Sequence, residues 1–252
     1  MSTHGTFVWH ELMTKNPDAA LKFYSELFGW KYKTGDMGPM KYHEIMVGDR
    51  PIGGITGTMA PEQPSAWNAY VTVPNVDAAV EKATRQGGKV LVPPMDIPNT
   101  GRFAMLADPS GAAIAPFTYT MEEQSKPGAL GEPGTFIWNE LMTADPQGVQ
   151  GFYKETFGWS MRAQDMGPMG TYHLFASGGK DVAGMMKKPA ELPVSFWLYY
   201  VAVTDVDAAH KKALSLGATE TMAPMEAPGV GRFAGFIDPT GAALSLFKGA
   251  SM

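Results

Sequence analysis

The chain has 252 residues, a formal net charge of −5 at pH 7 and no cysteine. Without cysteine it can form no disulfide, thiolate metal site or cysteine nucleophile. No run of like charge stands out, so we expect neither nucleic acid nor an anionic membrane as a partner. No apolar run approaches about 18 residues and no signal pattern opens the chain, which predicts a cytoplasmic protein.

A long repeat organises the sequence. The stretch Gly5-Thr-Phe-Val-Trp-His-Glu-Leu-Met-Thr14 returns as Gly134-Thr-Phe-Ile-Trp-Asn-Glu-Leu-Met-Thr143. The match continues nearly to the end of the chain, so we predict a duplicated domain. The predicted domains are residues 1–118 and 134–252. The polar stretch 119–133, rich in proline and glycine, is the predicted linker.

Each half begins with a strand, a helix and three more strands. In the first half, Phe7–Met13 alternates as a strand does, and Asn16-Pro17 caps a helix that ends at Gly29. Three further strands are predicted at Trp30–Thr34, Tyr42–Val47 and Ile52–Gly57.

The same order follows again within the half. Trp67–Val73 reads as a strand, and Asn75 caps a helix over Val76–Gln86. Three strands are predicted after it, at Val90–Val92, Phe103–Ala107 and Ala112–Phe117. The whole chain is therefore predicted to be an α+β protein built from four βαβββ modules.

Three recurring segments resemble the vicinal oxygen chelate superfamily, which includes glyoxalase I, bleomycin-resistance proteins and extradiol dioxygenases. They are Phe23-Tyr-Ser-Glu-Leu-Phe-Gly29, Val76-Asp-Ala-Ala79 and the hairpin Asp108-Pro-Ser-Gly111. The resemblance implies paired modules that form eight-stranded, incompletely closed barrels, with helices outside and a funnel inside. It leaves the function open, because this fold carries lyases, isomerases, dioxygenases and non-catalytic drug binders.

The resemblance also implies a divalent metal held by His, Glu or Gln at up to four inward positions. The aligned positions in the first half are Trp9, Asn68, Ala115 and the strand Ile52–Gly57. Those in the second half are Trp138, Leu198, Ser245 and the strand Val182–Met186. A catalytic zinc or iron site takes about three protein ligands, and no His or carboxylate stands at these positions. We therefore predict no metal cofactor.

Glu11 and Glu140 share a strand face with the tryptophans at the aligned metal positions. An isolated charged carboxylate on an aromatic face is costly, so each needs a raised pKa or a partner. One interpretation makes them catalytic bases or hydrogen-bond anchors for a ligand. The other makes them buried ion pairs with Arg102 and Arg232, which recur in Gly-Arg-Phe segments.

Other repeated side chains are candidates for contact with a ligand. His43 and His173 could transfer protons near neutral pH or be ordinary strand residues. Met40 and Met169, in repeated Asp-Met-Gly-Pro-Met loops, could line a pocket rim or plug the core. The remaining ligand-binding candidates are Arg102 and Arg232, and a set that could equally be core: Trp9, Trp67, Asn68, Tyr70, Trp138, Trp197 and Tyr200.

The sequence favours a protein that binds a small organic molecule in apolar, aromatic-lined funnels without the usual metal. The alternative is a lyase, isomerase or dioxygenase-type enzyme of the same superfamily, acting on a small carbonyl compound with Glu11 or Glu140 as base. A third possibility is a scaffold whose funnels are closed by their own tryptophans. The expected partner is a small molecule, and the chain is expected to be a monomer or a homodimer.

Overall fold

A computed structural model describes residues 4–37, 40–120, 131–167 and 170–250 of the chain. The elements of the first half are β1 Phe7–Thr14, α1 Pro17–Phe28, β2 Lys31–Met37, β3 Met40–Val47, β4 Arg50–Gly57, β5 Ala66–Thr72, α2 Val76–Arg85, β6 Lys89–Ile97, β7 Gly101–Ala107 and β8 Ala113–Tyr119. Those of the second half are β9 Phe136–Thr143, α3 Gln150–Phe157, β10 Ser160–Asp165, β11 Thr171–Ser177, β12 Lys180–Lys187, β13 Phe196–Ala202, α4 Val206–Ser215, β14 Thr219–Ala227, β15 Gly231–Ile237 and β16 Ala243–Gly249. The predicted α+β class and the four βαβββ modules are confirmed.

Each half forms one mixed, eight-stranded sheet. The strand order is β2-β3-β4-β1-β5-β8-β7-β6 in the first half, and the second half repeats it as β10-β11-β12-β9-β13-β16-β15-β14. The first strand of a module runs parallel to the last, as in β1–β4 and β5–β8, and the other pairs within a module are antiparallel. Both sheets have two edge strands and are open.

In the first half, both helix starts and the end of α1 follow the capping residues seen in the sequence. The Asn16 side chain accepts a hydrogen bond from the Ala19 amide at 3.1 Å, which satisfies one of the free N–H groups of the first turn. Gly29 ends the helix with φ of 73°, a left-handed conformation that costs glycine little. Asn75 caps α2 in the same way, through the Ala78 amide at 2.8 Å.

Strand β6 is longer than predicted. The sequence predicts a strand only over Val90–Val92, and the next two residues, Pro93 and Pro94, have no N–H to donate to a ladder. In the structure the pairing with β7 resumes at Met95, after a register shift that leaves both prolines in an irregularity. This is possible because β6 is an edge strand, where a missing donor breaks no central ladder.

The described chain packs into two compact units that each combine modules from both halves. One unit contains the second and third modules, and the other contains the first and fourth. The predicted division into two domains with a linker at residues 119–133 follows the sequence repeat, and it stays a prediction. Of that linker, residues 121–130 lie outside the described residues. No helix in the described part of the chain is long and apolar enough to cross a bilayer.

Buried Trp–Tyr–Asp chains hold each unit together. In the unit of the first and fourth modules, Trp67 Nε1 donates to the Tyr24 hydroxyl at 3.0 Å, and that hydroxyl donates to Asp238 Oδ2 at 2.7 Å. The other unit repeats the chain through Trp197, Tyr153 and Asp108, at 3.1 and 2.8 Å. The aspartates are those of the predicted Asp-Pro-x-Gly turns, which therefore also anchor a helix of the other half.

Candidate functional site: a Trp–Tyr–Glu chain in each half

The site in the first half begins with strand alternation. Trp9 and Glu11 are two residues apart on β1, so their side chains leave the same face of the sheet. Tyr42 reaches this face from β3, where it pairs with Thr56 of the intervening strand β4. Trp9 Nε1 donates a hydrogen bond to the Tyr42 hydroxyl at 2.7 Å, and the hydroxyl also hydrogen-bonds to Glu11. The three side chains form a continuous hydrogen-bonded chain.

The second half repeats this chain. Trp138 Nε1 donates to the Tyr172 hydroxyl at 3.0 Å, and the hydroxyl donates to Glu140 Oε1 at 2.8 Å. The same order of donors in both halves indicates that the arrangement is a feature of the module. We call the two groups the first-half and second-half Trp–Tyr–Glu chains.

A glycine makes room for each tyrosine. Gly54 of β4 lies opposite Glu11 on one side and Glu44 on the other. A Cβ at Gly54 would overlap the Tyr42 hydroxyl and Cζ, and it would stand 2.8 Å from Cε1. Gly184 does the same for the second half, where an added Cβ would overlap the Tyr172 hydroxyl. The glycine therefore lets the tyrosine cross the middle strand and reach the glutamate.

Burial and the nearby carboxylates keep both tyrosines protonated. Burial raises the pKa of Tyr42 well above its usual range, and the charge of Glu11 raises it further. The pKa of Tyr172 is likewise raised, first by burial and then by Glu140. A phenol that stays protonated at every physiological pH is a dependable donor to the glutamate.

Each Trp–Tyr–Glu chain lies at the border between core and solvent. Glu11 and Glu140 are only 6% and 8% exposed. Trp9 and Trp138, at the other end of each chain, are half-buried. Each group thus presents an aromatic surface to solvent and keeps its carboxylate largely shielded, which strengthens any hydrogen bond made there.

The predicted ion pairs between the glutamates and Arg102 and Arg232 are wrong. Arg102 donates to both oxygens of Asp77, at 2.8 and 2.9 Å, and to Asp96 at 2.9 Å. Arg232 makes the equivalent pair with Asp207 at 2.6 and 2.7 Å. Since Arg102 and Asp96 are cross-strand partners and Asp77 lies in the first turn of α2, the guanidinium joins helix to sheet at a partly exposed position.

The remaining ligand-binding candidates on β5 and β13 are all buried. Trp67 and Trp197 are buried, with their indole N–H groups used by the Trp–Tyr–Asp chains. Tyr70 is buried against Phe103 with 5.7 Å between ring centroids. Asn68 and Tyr200 are also buried polar or aromatic residues of β5 and β13.

The histidines do not join the Trp–Tyr–Glu chains. His43 and His173 are buried, and by strand alternation each points away from the face of the preceding tyrosine. His43 Nδ1 shares a hydrogen bond with the Thr34 hydroxyl at 2.9 Å. Met40 is half-buried at the start of β3, while Met169 lies outside the described residues.

His43 should make the protein less stable in mild acid. Burial lowers its pKa, partly offset by Asp18 and reinforced by Lys41. The unfolded chain therefore binds more protons below about pH 6.5, and the free energy of unfolding falls as pH drops through that window. We expect His43→Gln to flatten this slope in melting experiments between pH 5 and 8. His4→Gln, at an exposed position, serves as the control, and an equal slope in wild type and His43→Gln would refute the prediction.

Sequence comparison identifies the family. The profile of the Glyoxalase/Bleomycin resistance protein/Dioxygenase superfamily matches residues 6–115 and again 135–246. The chain belongs to this superfamily, as a member with two tandem copies. The match confirms the resemblance drawn from the repeated helix and hairpin segments.

Named relatives share the full two-copy length. The chain is 35% identical over 251 residues to "Putative glyoxylase CFP32" of Mycobacterium bovis, covering 98% of this chain and 95% of the relative. It is 31% identical over 264 residues to "Anthracycline biosynthesis protein DauV" of Streptomyces sp. strain C5, covering 97% and 93%.

Solved structures show the same fold at low identity. The Mn(II)-bound glyoxalase from Novosphingobium aromaticivorans has a TM-score of 0.63 at 16% identity, over 98% of this chain and 83% of that one. The 2,3-dioxygenase LapB from Pseudomonas sp. KL28 has a TM-score of 0.64 at 13% identity, over 98% and 94%.

The residues at the metal positions that the resemblance implies do not fit a metal ion. Trp9 and Trp138 stand there, and both indoles donate hydrogen bonds to tyrosine instead of offering a lone pair. Ser245 adds a neutral hydroxyl, buried and without a hydrogen-bond partner among the described residues. Within those residues, no three His, Cys, Asp or Glu side chains are grouped so as to hold a metal. A divalent catalytic site takes about three such ligands.

Tyr42 and Tyr172 are the site residues that sequence reasoning missed. Each tyrosine directly precedes a histidine, His43 or His173, which is the candidate that the sequence favours because imidazole titrates near neutral pH. The signal was nevertheless present, since a tyrosine and a middle-strand glycine recur together in both halves, as Tyr42 with Gly54 and Tyr172 with Gly184.

Proposed function

We propose that the protein binds small, planar organic molecules without the metal of its superfamily. The binding surfaces are the two sheet faces that carry the Trp–Tyr–Glu chains, which we call the first-half and second-half faces. The observation that carries the proposal is the hydrogen-bonded Trp–Tyr–Glu chain in both halves, whose tryptophan stands where the resemblance implies a metal ligand. A half-buried indole offers stacking surface, and the carboxylate behind it offers a fixed polar contact. Apolar surface with a few placed polar groups is typical of small-molecule sites.

The names of two relatives support an organic small molecule as the ligand. Two relatives that match over nearly their whole length carry names from anthracycline biosynthesis. This supports a role that handles organic molecules with fused rings. The proposal for this chain is limited to that class: a planar, largely apolar body with at least one polar substituent.

A thermal-shift screen tests the proposal. Protein treated with EDTA is melted with a library of planar aromatic compounds, each far above its expected dissociation constant. A ligand at about 100 times its dissociation constant stabilises the fold by about 2.7 kcal/mol, which raises the melting temperature by several degrees. The double variant Trp9→Ala, Trp138→Ala should lose the shift. If no compound moves the melting temperature, the chain is a scaffold and the proposal fails.

Catalysis with a glutamate base is the second candidate. The observation in its favour is the shielded carboxylate of Glu11 or Glu140, held by a tyrosine that stays protonated. Such a carboxylate could take a proton from a carbon next to a carbonyl group. Turnover of a small carbonyl compound that survives EDTA and is lost in Glu11→Gln, Glu140→Gln would establish this candidate. Binding without turnover would leave the protein a binder.

A further inference from the structure

The donors of the first-half chain are all in use. The Trp9 N–H is given to Tyr42, and the Tyr42 hydroxyl hydrogen is given to Glu11. The neighbouring Thr56 hydroxyl donates to the Lys41 carbonyl at 3.2 Å. The Glu11 carboxylate takes part as an acceptor, and an ionised carboxylate has about four lone-pair sites and no hydrogen to donate. This part of the sheet is thus an acceptor surface.

An acceptor surface selects the opposite chemistry from a metal. A divalent cation attracts lone pairs on ligand oxygens, whereas a carboxylate attracts hydrogens on oxygen or nitrogen. The ligand of such a face therefore presents a donor, such as a phenol, an alcohol or an ammonium group. A carboxylate ligand would meet like charge in a shielded place, where repulsion is strong.

The two halves differ at one matched position beside the chain. In the first half, Gly54 of β4 pairs with Glu11 of β1 on one side and with Glu44 of β3 on the other, so it lies between the two glutamates. The charge of Glu44 reaches the same hydroxyl, where it helps to raise the pKa of Tyr42. In the second half Gly184 separates Glu140 from Leu174. The first half thus has two carboxylates on this face, and the second half has one carboxylate and a leucine.

Nearby cations do not remove this difference. Lys33 is the cross-strand neighbour of Glu44, but the two form no ion pair within 4.0 Å. In the second half Arg162 is the corresponding neighbour of Leu174, and it pairs with Asp181 at 2.7 Å.

We propose that both faces bind planar molecules through a hydrogen-bond donor on the ligand, and that Glu44 makes the first-half face selective for ligands whose donor is cationic. This inference rests on the proposed function. The second-half face, with Leu174 in that position, takes neutral donors such as phenols. The protein then has two related sites, one that prefers cationic ligands and one that prefers neutral ligands.

Three probes with one naphthalene body test this inference by isothermal titration. They are 2-naphthylmethylammonium, 2-naphthol and 2-naphthoate, titrated into EDTA-treated full-length protein. Trp138→Ala isolates the first-half face, and Trp9→Ala isolates the second. On the first-half face we expect the ammonium probe to bind about tenfold more tightly than 2-naphthol, and naphthoate to bind most weakly. On the second-half face we expect 2-naphthol to bind most tightly.

Exchange at the matched position tests the role of Glu44. Glu44→Leu in the Trp138→Ala background should weaken the ammonium probe about tenfold and leave 2-naphthol nearly unchanged. Leu174→Glu in the Trp9→Ala background should strengthen the ammonium probe. Glu44→Gln, which keeps the shape of the side chain, replaces Glu44→Leu if the latter unfolds.

The outcomes separate this inference from the proposed function. If no probe binds either face, the proposed function fails as well. If naphthoate binds most tightly, binding stands and the inference about donors is overturned. If the affinity of the ammonium probe changes neither in Glu44→Leu nor in Leu174→Glu, the charge selectivity is overturned.

Discussion

Replacing Asp238 with alanine is expected to lower the free energy of unfolding by about 3–4 kcal/mol. Asp238 is 3% exposed, and its Oδ2 accepts the Tyr24 hydroxyl. Its Oδ1 accepts from the amide and hydroxyl of Thr240, at 2.7 and 2.8 Å, and from the Ala242 amide at 3.1 Å. Truncation leaves several buried donors without an acceptor, and each costs about 1–3 kcal/mol in a site that water reaches poorly.

Chemical denaturation of Asp238→Ala and Tyr24→Phe, alone and together, checks this expectation. Tyr24→Phe removes one donor to the carboxylate and also the acceptor of the Trp67 N–H, so its cost should be about 1–3 kcal/mol. The double variant should cost less than the sum of the two single variants, because both remove the same hydrogen bond. Asp207→Ala, which removes only an exposed ion pair, serves as the control. A loss below about 1 kcal/mol for Asp238→Ala, or strict additivity, would contradict the role given to the Trp–Tyr–Asp chain.

Replacing Gly54 with alanine is expected to dismantle the first-half Trp–Tyr–Glu chain. The added methyl overlaps Tyr42 across its hydroxyl end, and the ring must move because strand β4 is fixed between two neighbours. Overpacking of this kind costs about 1–3 kcal/mol. Displacement of the ring also separates the hydroxyl from Trp9 and Glu11, so ligand binding on that face should be lost together with the stability.

Gly57→Ala, on the same strand, is the matched control. There the nearest atom to an added Cβ is Met40 Sδ at 3.7 Å, an ordinary contact. Urea denaturation and probe titration of both variants measure the two expected losses. The account of the glycine is wrong if Gly54→Ala is as stable as Gly57→Ala and keeps its ligand affinity.

Local features of the fold could be predicted because their signals are local. The caps at Asn16 and Asn75, the left-handed Gly29 and the turn at Asp108-Pro-Ser-Gly111 each depend on a few adjacent residues. The repeat then supplied the order of elements in the second half. The extension of β6 through Pro93-Pro94 was missed because it depends on an edge position in the sheet.

Long-range partners could not be predicted in the same way. The Trp–Tyr–Glu chain needs β3, β4 and β1 in one particular register, so Tyr42 shows no link to Glu11 along the sequence. The recurrence of Arg102 suggested an inward partner, whereas cross-strand pairing places it beside Asp96. The pairing of Tyr24 with Asp238 joins residues 214 apart and reflects units that combine modules from both halves.

The metal content of the protein tests the central claim most directly. Untagged protein is purified without chelator, and its zinc, iron, nickel and manganese are measured by elemental analysis. Because tryptophan stands in both halves at the first-strand position where the resemblance implies a metal ligand, the account predicts far less than one metal ion per chain. Near-stoichiometric content of any of the four metals would contradict it.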